Sequence, residues 1–127
     1  MHYVLNGRAV VAEHDVMKWG RQYEAVNRRI ACTRVNGVVV STVFTGMNMN
    51  PLSEGEPLVF ETTIHGGWFD RHAWRCCTYD KAEATHAVAV SLIERFRLIP
   101  GLLQTPRTWG AFLLLKRARR WATGKAT

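Results

Sequence analysis

The run RIACTRVNGVVVSTVFTG, residues 29–46, constrains the fold more than any other part of the chain. Two β-rich segments flank Asn36-Gly37, and a two-residue type I′ turn needs positive φ at both central positions, which Asn and Gly reach at least cost. A β-hairpin is therefore predicted here. In its second strand Val38, Val40, Thr42 and Phe44 share one face, and Val39, Ser41, Val43 and Thr45 the other. Apolar residues on both faces predict a central strand covered on both sides.

The neighbouring segments extend the pattern. PLVFETTIH alternates Leu58, Phe60, Thr62 and Ile64 against Val59, Glu61, Thr63 and His65, a strand that should pair with the one before it. HAWRCCT reads as a further short strand after the GGWFDR turn. Upstream, Asn6-Gly7 between apolar runs predicts another type I′ hairpin. Helix one is predicted over roughly 15–27, with Asp15 as its cap and Val16, Trp19, Tyr23 and Val26 at helical spacing. Thr78 should cap a second long helix, with Asp80 in its first turn and Ala82, His86, Ala89, Ile93 and Phe96 as one stripe. Pro100-Gly101 breaks the chain, and Thr105-Pro106 restarts it as a helix. The prediction is an α+β domain over 1–97: an antiparallel sheet of five to six strands packed by two long helices, with a C-terminal basic helical extension over 98–127.

At 127 residues the chain is one domain's worth. Its net charge of +7 is unevenly placed: segment 98–127 holds six basic residues and no acid, leaving eleven basic and ten acidic residues in 1–97. Arg107, Lys116, Arg117, Arg119 and Arg120 are accordingly the candidate partner-binding residues, toward nucleic acid phosphates, an acidic protein face or an anionic surface. A helix docked by Trp109, Phe112 and Leu113 with solvated cations is the competing reading. No run is long and apolar enough to span a membrane and no signal-peptide pattern opens the chain, so a cytoplasmic protein is expected.

Chemistry-bearing patterns are sparse. Cys32, Cys76 and Cys77 make an odd count, the last two too close to bridge readily, which favours reduced thiols. His65, His72 and Cys76 or Cys77 are the one cheap metal cluster, and buried thiols with surface imidazoles outweigh it. The same residues, with His86, could pair a nucleophile with a base, but no family-type context surrounds them. Glu61 reads as a cross-strand partner of a Lys or Arg. No metal, cofactor or enzyme activity is expected.

More informative is a set suited to an anion carrying an aromatic ring. Arg28, Arg29, Arg71 and Arg75 lie at element junctions, with Trp19, Trp68, Trp74 and Tyr79 nearby in sequence. Guanidinium groups chelate phosphates and aromatic faces stack on bases. The competing reading puts the tryptophans in the core and the arginines on a solvated rim. The connection from Gly46 to Pro57 is long for a hairpin, and its Asn48 and Asn50 amides could read a base edge or a ribose, or simply stabilise turns. The candidate ligand-binding residues are Arg28, Arg75, Trp68, Asn48, Asn50, Arg71 and Tyr79.

Three strings, VSTVFTGMN, LVFETTIHGG and WRCCTYDKAEATHA, resemble in order and spacing a family of small phage-encoded proteins, the first described type of Thoeris anti-defence protein. The likeness covers roughly residues 2–90 and takes in Trp19 and Arg28-Arg29. The resemblance implies a non-catalytic sponge that sequesters cyclic ADP-ribose-type or cyclic oligonucleotide immune signals in the host bacterial cytoplasm and so counters antiviral defence. It also implies a homo-oligomer with pockets near subunit contacts. Two features depart from the pattern: Asn48 and Met49 stand where an acidic residue and a histidine usually follow the strand's glycine, and the segment from about Leu98 has no counterpart. The alternative is a phage inhibitor of a host protein or nucleoprotein complex, anti-CRISPR-like, acting through the basic C-terminal helix. Direct DNA or RNA binding is a third reading.

Overall fold

A computed structural model of the chain describes residues 1–50 and 55–97. In chain order it contains β1 (His2–Asn6), β2 (Ala9–Glu13), α1 (Val16–Ala25), β3 (Arg29–Val35), β4 (Val38–Phe44), β5 (Phe60–His65), β6 (Ala73–Cys76) and α2 (Tyr79–Arg97). The α+β class is as predicted, but the strands form two antiparallel sheets: a hairpin of β1 and β2, and a four-stranded sheet in the order β3-β4-β5-β6. The predicted C-terminal helix, with its five candidate cations, lies outside the described residues.

Local turn chemistry sets both hairpins. Asn36 and Gly37 have φ of 48° and 80°, so the β3–β4 turn has the positive φ at both positions that type I′ requires. In the first hairpin Asn6 pairs with Ala9, which makes Gly7 and Arg8 the turn residues rather than Asn6 and Gly7. Only Gly7 has positive φ there, the type II′ pattern. The shift places Arg8 at the tip. Its guanidinium stacks 4.2 Å above the Tyr79 ring and binds Glu83 at 2.9 Å and Asp80, pinning the hairpin to the start of α2. The hydrogen bond from Arg8 holds the Glu83 carboxyl below its ordinary pKa and raises that of Arg8 in turn.

α2 starts where Thr78 caps it, Oγ1 accepting from Lys81 N at 3.1 Å. It packs across β3, β4 and β5. All five residues of its predicted stripe are buried, with Thr85 and Leu92 beside them. They meet Val40, Thr42, Phe44, Phe60, Thr62, Ile64, Trp74 and Cys76 from the sheet. Burying such side chains contributes roughly 1.5–3 kcal/mol each for Val, Leu, Ile or Phe. A polar chain crosses this core: His86 Nε2 lies 2.8 Å from Thr33 Oγ1, His86 Nδ1 2.8 Å from Thr42 Oγ1, and Thr42 Oγ1 2.7 Å from Thr62 Oγ1. Burial lowers the His86 pKa and keeps the ring neutral.

Two packing expectations are not met among the described residues. Among the described residues α2 covers one face of the four-stranded sheet and no element packs over the other, so the second cover predicted for β4 is not found there. That outer face carries the rows Arg34–Val39–His65, Cys32–Ser41–Thr63–Ala73 and Arg29–Val43–Glu61–Arg75. α1 is shorter than predicted and buries no residue fully; Val16 and Val26 stay exposed. It is capped by Asp15, whose Oδ1 accepts from Met17 N and Lys18 N at 2.9 and 3.1 Å. Only Trp19, Gly20, Gln22 and Tyr23 turn toward the protein.

Candidate functional site

α1 and β1 build the most concentrated group of recognition chemistry. Trp19 and Tyr23, one helical turn apart, stack at 4.8 Å between ring centroids. His2 lies 4.4 Å from Trp19 on one side, and the Arg28 guanidinium sits 3.9 Å above the Tyr23 ring on the other while donating to the Tyr23 hydroxyl. The result is a column, His2–Trp19–Tyr23–Arg28. Trp19 Nε1 donates to Tyr3 O at 3.0 Å, which orients the indole. Tyr3 N in turn donates to Gly46 O at 2.8 Å, and His2 bridges to Met47.

This brings the start of the GMNMN loop against the column. Gly46 has φ of +70°, and a Cβ there would lie 2.9 Å from Tyr23 Cε2, so only glycine fits without displacing the ring. Beside the column is a cleft of about 60 Å³, lined by Tyr3, Val4, Leu5, Gln22, Tyr23, Val26, Arg28 and Phe44. Gln22 Oε1 is buried with no protein hydrogen-bond donor. No carboxylate pairs with Arg28 among the described residues. The cleft thus offers a cation, a phenol ring and an amide oxygen seeking a donor, groups suited to phosphate and to a sugar hydroxyl or base amine.

Of the seven candidate ligand-binding residues this region gathers Arg28 alone, with Trp19 from the wider set of arginines and aromatics in the same column. Arg75 Nε is paired with Glu61 Oε2 at 2.9 Å on the outer sheet face, the cross-strand role predicted for Glu61. Tyr79 meets the Phe60 ring edge-on at 6.0 Å beneath Arg8. Trp68 packs half-buried on the core, and Arg71 is exposed in the β5–β6 turn with φ of +68°. Asn48 braces its loop: Oδ1 accepts from Leu58 N at 3.0 Å and from Asn50 N at 3.1 Å, an Asx-type closure across the connection. His2, Gln22 and Tyr23 were missed as site residues. The i, i+4 spacing of Trp19 and Tyr23 was the available signal.

The thiol region has different chemistry. Cys77 Sγ donates to Glu56 Oε2 at 2.9 Å, and Lys81 Nζ lies 3.9 Å from the sulfur. Burial pushes the Cys76 thiol up to about 12, and burial together with the bond to Glu56 raises Cys77 as well. Both are held protonated near neutral pH. Both nitrogens of His86 are taken by threonines. Among the described residues no group of three His, Cys, Asp or Glu side chains is placed to hold a metal ion, and no helix is long and apolar enough to cross a membrane.

No family model, curated protein or solved structure matches the chain.

Proposed function

We propose that this protein is a non-catalytic binder that sequesters a small anionic ligand of the nucleotide class, with the column and cleft at α1 and β1 as its primary contact. The observation that carries the reading is the juxtaposition of the Arg28 guanidinium, without a carboxylate partner, with the buried, undonated Gln22 Oε1 in one cleft. Arg28 holds phosphate and Gln22 accepts from a ribose hydroxyl or base amine, while Tyr23 lines the cleft and its stack on Trp19 fixes the place of the Arg28 guanidinium. The resemblance to Thoeris anti-defence proteins points to the same ligand class, cyclic ADP-ribose-type or cyclic oligonucleotide.

Size sets a condition on the proposal. Ligand pockets commonly run to about 300–1,000 Å³, whereas this cleft holds about 60 Å³. It takes a phosphate or one ribose edge, so enclosure of a whole nucleotide requires a second copy of the chain at the cleft mouth, as a homo-oligomer would provide. Mass spectrometry of small molecules released by denaturing the purified protein tests this reading. A nucleotide in the released fraction supports it, and a ligand-free protein that also takes up none from a bacterial nucleotide extract counts against it. The basic segment 98–127 favours a second reading, inhibition of a host protein or nucleoprotein complex. Deleting 103–127 separates the two, because sequestration survives the deletion and partner inhibition does not.

A further inference from the structure

The hairpin of β1 and β2 is a sheet of its own, and it is fastened to the rest of the chain at its two ends. At the base, Tyr3 N donates to Gly46 O at 2.8 Å, Tyr3 O accepts from Trp19 Nε1 at 3.0 Å, and His2 bridges to Met47. At the tip, Arg8 donates to Glu83 at 2.9 Å and to Asp80, and its guanidinium lies over the Tyr79 ring. Between the ends, among the described residues, the contact with the body is apolar: the cross-strand pair Leu5 and Val10 rests half-buried on the core.

From this arrangement we infer that the hairpin is a hinged flap over the cleft, with its hinge at Tyr3 and Gly46 and Arg8 as the clasp that holds it shut. Val4 and Leu5 of β1 form one wall of the cleft, and Gln22, Arg28 and Phe44 line it from the body. Lifting the tip off α2 carries Val4 and Leu5 away from Phe44, while Tyr3 stays at the hinge. The cleft of about 60 Å³ widens, and the buried Gln22 Oε1 becomes reachable. As a route of ligand entry the flap rests on the cleft being the ligand's place, as proposed above.

The clasp is suited to release. The side chains of Arg8, Asp80 and Glu83 are 55%, 86% and 50% exposed, so dissolved salt screens their attraction. A lone two-stranded hairpin is marginal in water, so little holds this one closed beyond the clasp and the apolar pair beneath it. β4 and β5 are central strands of the four-stranded sheet with α2 packed on them, and they keep their pairing when the hairpin lifts.

Native-state hydrogen exchange of the ¹⁵N-labelled full chain, followed by NMR, tests the flap together with alkylation of the thiol introduced by Val4→Cys. Arg8→Ala should speed exchange of the β1 and β2 ladder amides by about tenfold and leave those of β4 and β5 unchanged. In the parent, 0.5 M sodium chloride should act in the same direction, and it should add nothing further in Arg8→Ala. Iodoacetamide should label position 4 about tenfold faster when Arg8→Ala is combined with Val4→Cys, measured against Cys32 as the internal standard. Unchanged hairpin exchange in Arg8→Ala, an acceleration that spreads equally to β4 and β5, or labelling at position 4 indifferent to Arg8 would each overturn the flap. Neither readout uses a ligand, so a failed flap and a failed binding proposal are told apart.

Discussion

Thr42→Val removes one hydroxyl from the middle of the polar chain that crosses the core. Thr42 and Thr62 are essentially inaccessible to solvent, and His86 is buried. The substitution keeps the side-chain shape but leaves two buried atoms, His86 Nδ1 and Thr62 Oγ1, without the partner they hold at 2.8 and 2.7 Å. Each orphaned group costs about 1–3 kcal/mol, and the added methyl returns at most about 0.8 kcal/mol. The net loss should be about 2–4 kcal/mol, a substantial part of the roughly 5–15 kcal/mol that holds a typical domain. Urea unfolding followed by tryptophan fluorescence reads it as a lower midpoint at unchanged slope. Removing every deeply buried member together, Thr42→Val, Thr62→Val and His86→Leu, should bring stability back to within about 1 kcal/mol of the parent, because the one partner left, Thr33 Oγ1, is only part-buried and within reach of water. A single variant that loses less than about 0.5 kcal/mol, or a triple variant that loses the sum of its parts, would refute the reasoning.

Three other outcomes are expected. His86 is held neutral by burial, so its folded pKa lies below the unfolded value; full stability is present above about pH 6.5 and falls by up to about 1.4 kcal/mol per pH unit as pH drops toward the folded pKa. Denaturant midpoints measured across that range check this, and His86→Leu in the triple variant should flatten the dependence. Gly46→Ala forces a Cβ into Tyr23 at a φ of +70° and should lower stability by about 1–3 kcal/mol while altering Trp19 fluorescence. Iodoacetamide should alkylate exposed Cys32 in the native protein and spare buried Cys76 and Cys77, which mass spectrometry resolves peptide by peptide.

What the sequence made legible was local. The Asn36-Gly37 turn, the Asp15 and Thr78 caps and the α2 stripe each depend on a few adjacent residues whose backbone preferences leave little choice. Whether β4 is covered on one face or two was not legible, because Val39 and Val43 suit a half-exposed antiparallel face as well as a buried one, and among the described residues only α2 packs on the sheet. The first turn moved by one residue because Gly7 satisfies type II′ as readily as Asn6-Gly7 satisfies I′. The sequence named Trp19 and Arg28 in one set of arginines and aromatics, and the structure brings the two into one column. Joining them through Tyr23, with His2 and Gly46 closing the group, required the tertiary contact between β1 and the end of β4. Asn48 shows the converse: an amide suited to a ligand is occupied in closing its own loop.

Calorimetric titration of the full chain with cyclic ADP-ribose isomers and cyclic di- and trinucleotides, alongside Arg28→Ala, tests the binding proposal most directly. The account predicts saturable heat with at least one of these ligands and its loss in Arg28→Ala at unchanged melting temperature. No heat from any ligand with the folded protein, or binding indifferent to Arg28, would contradict it.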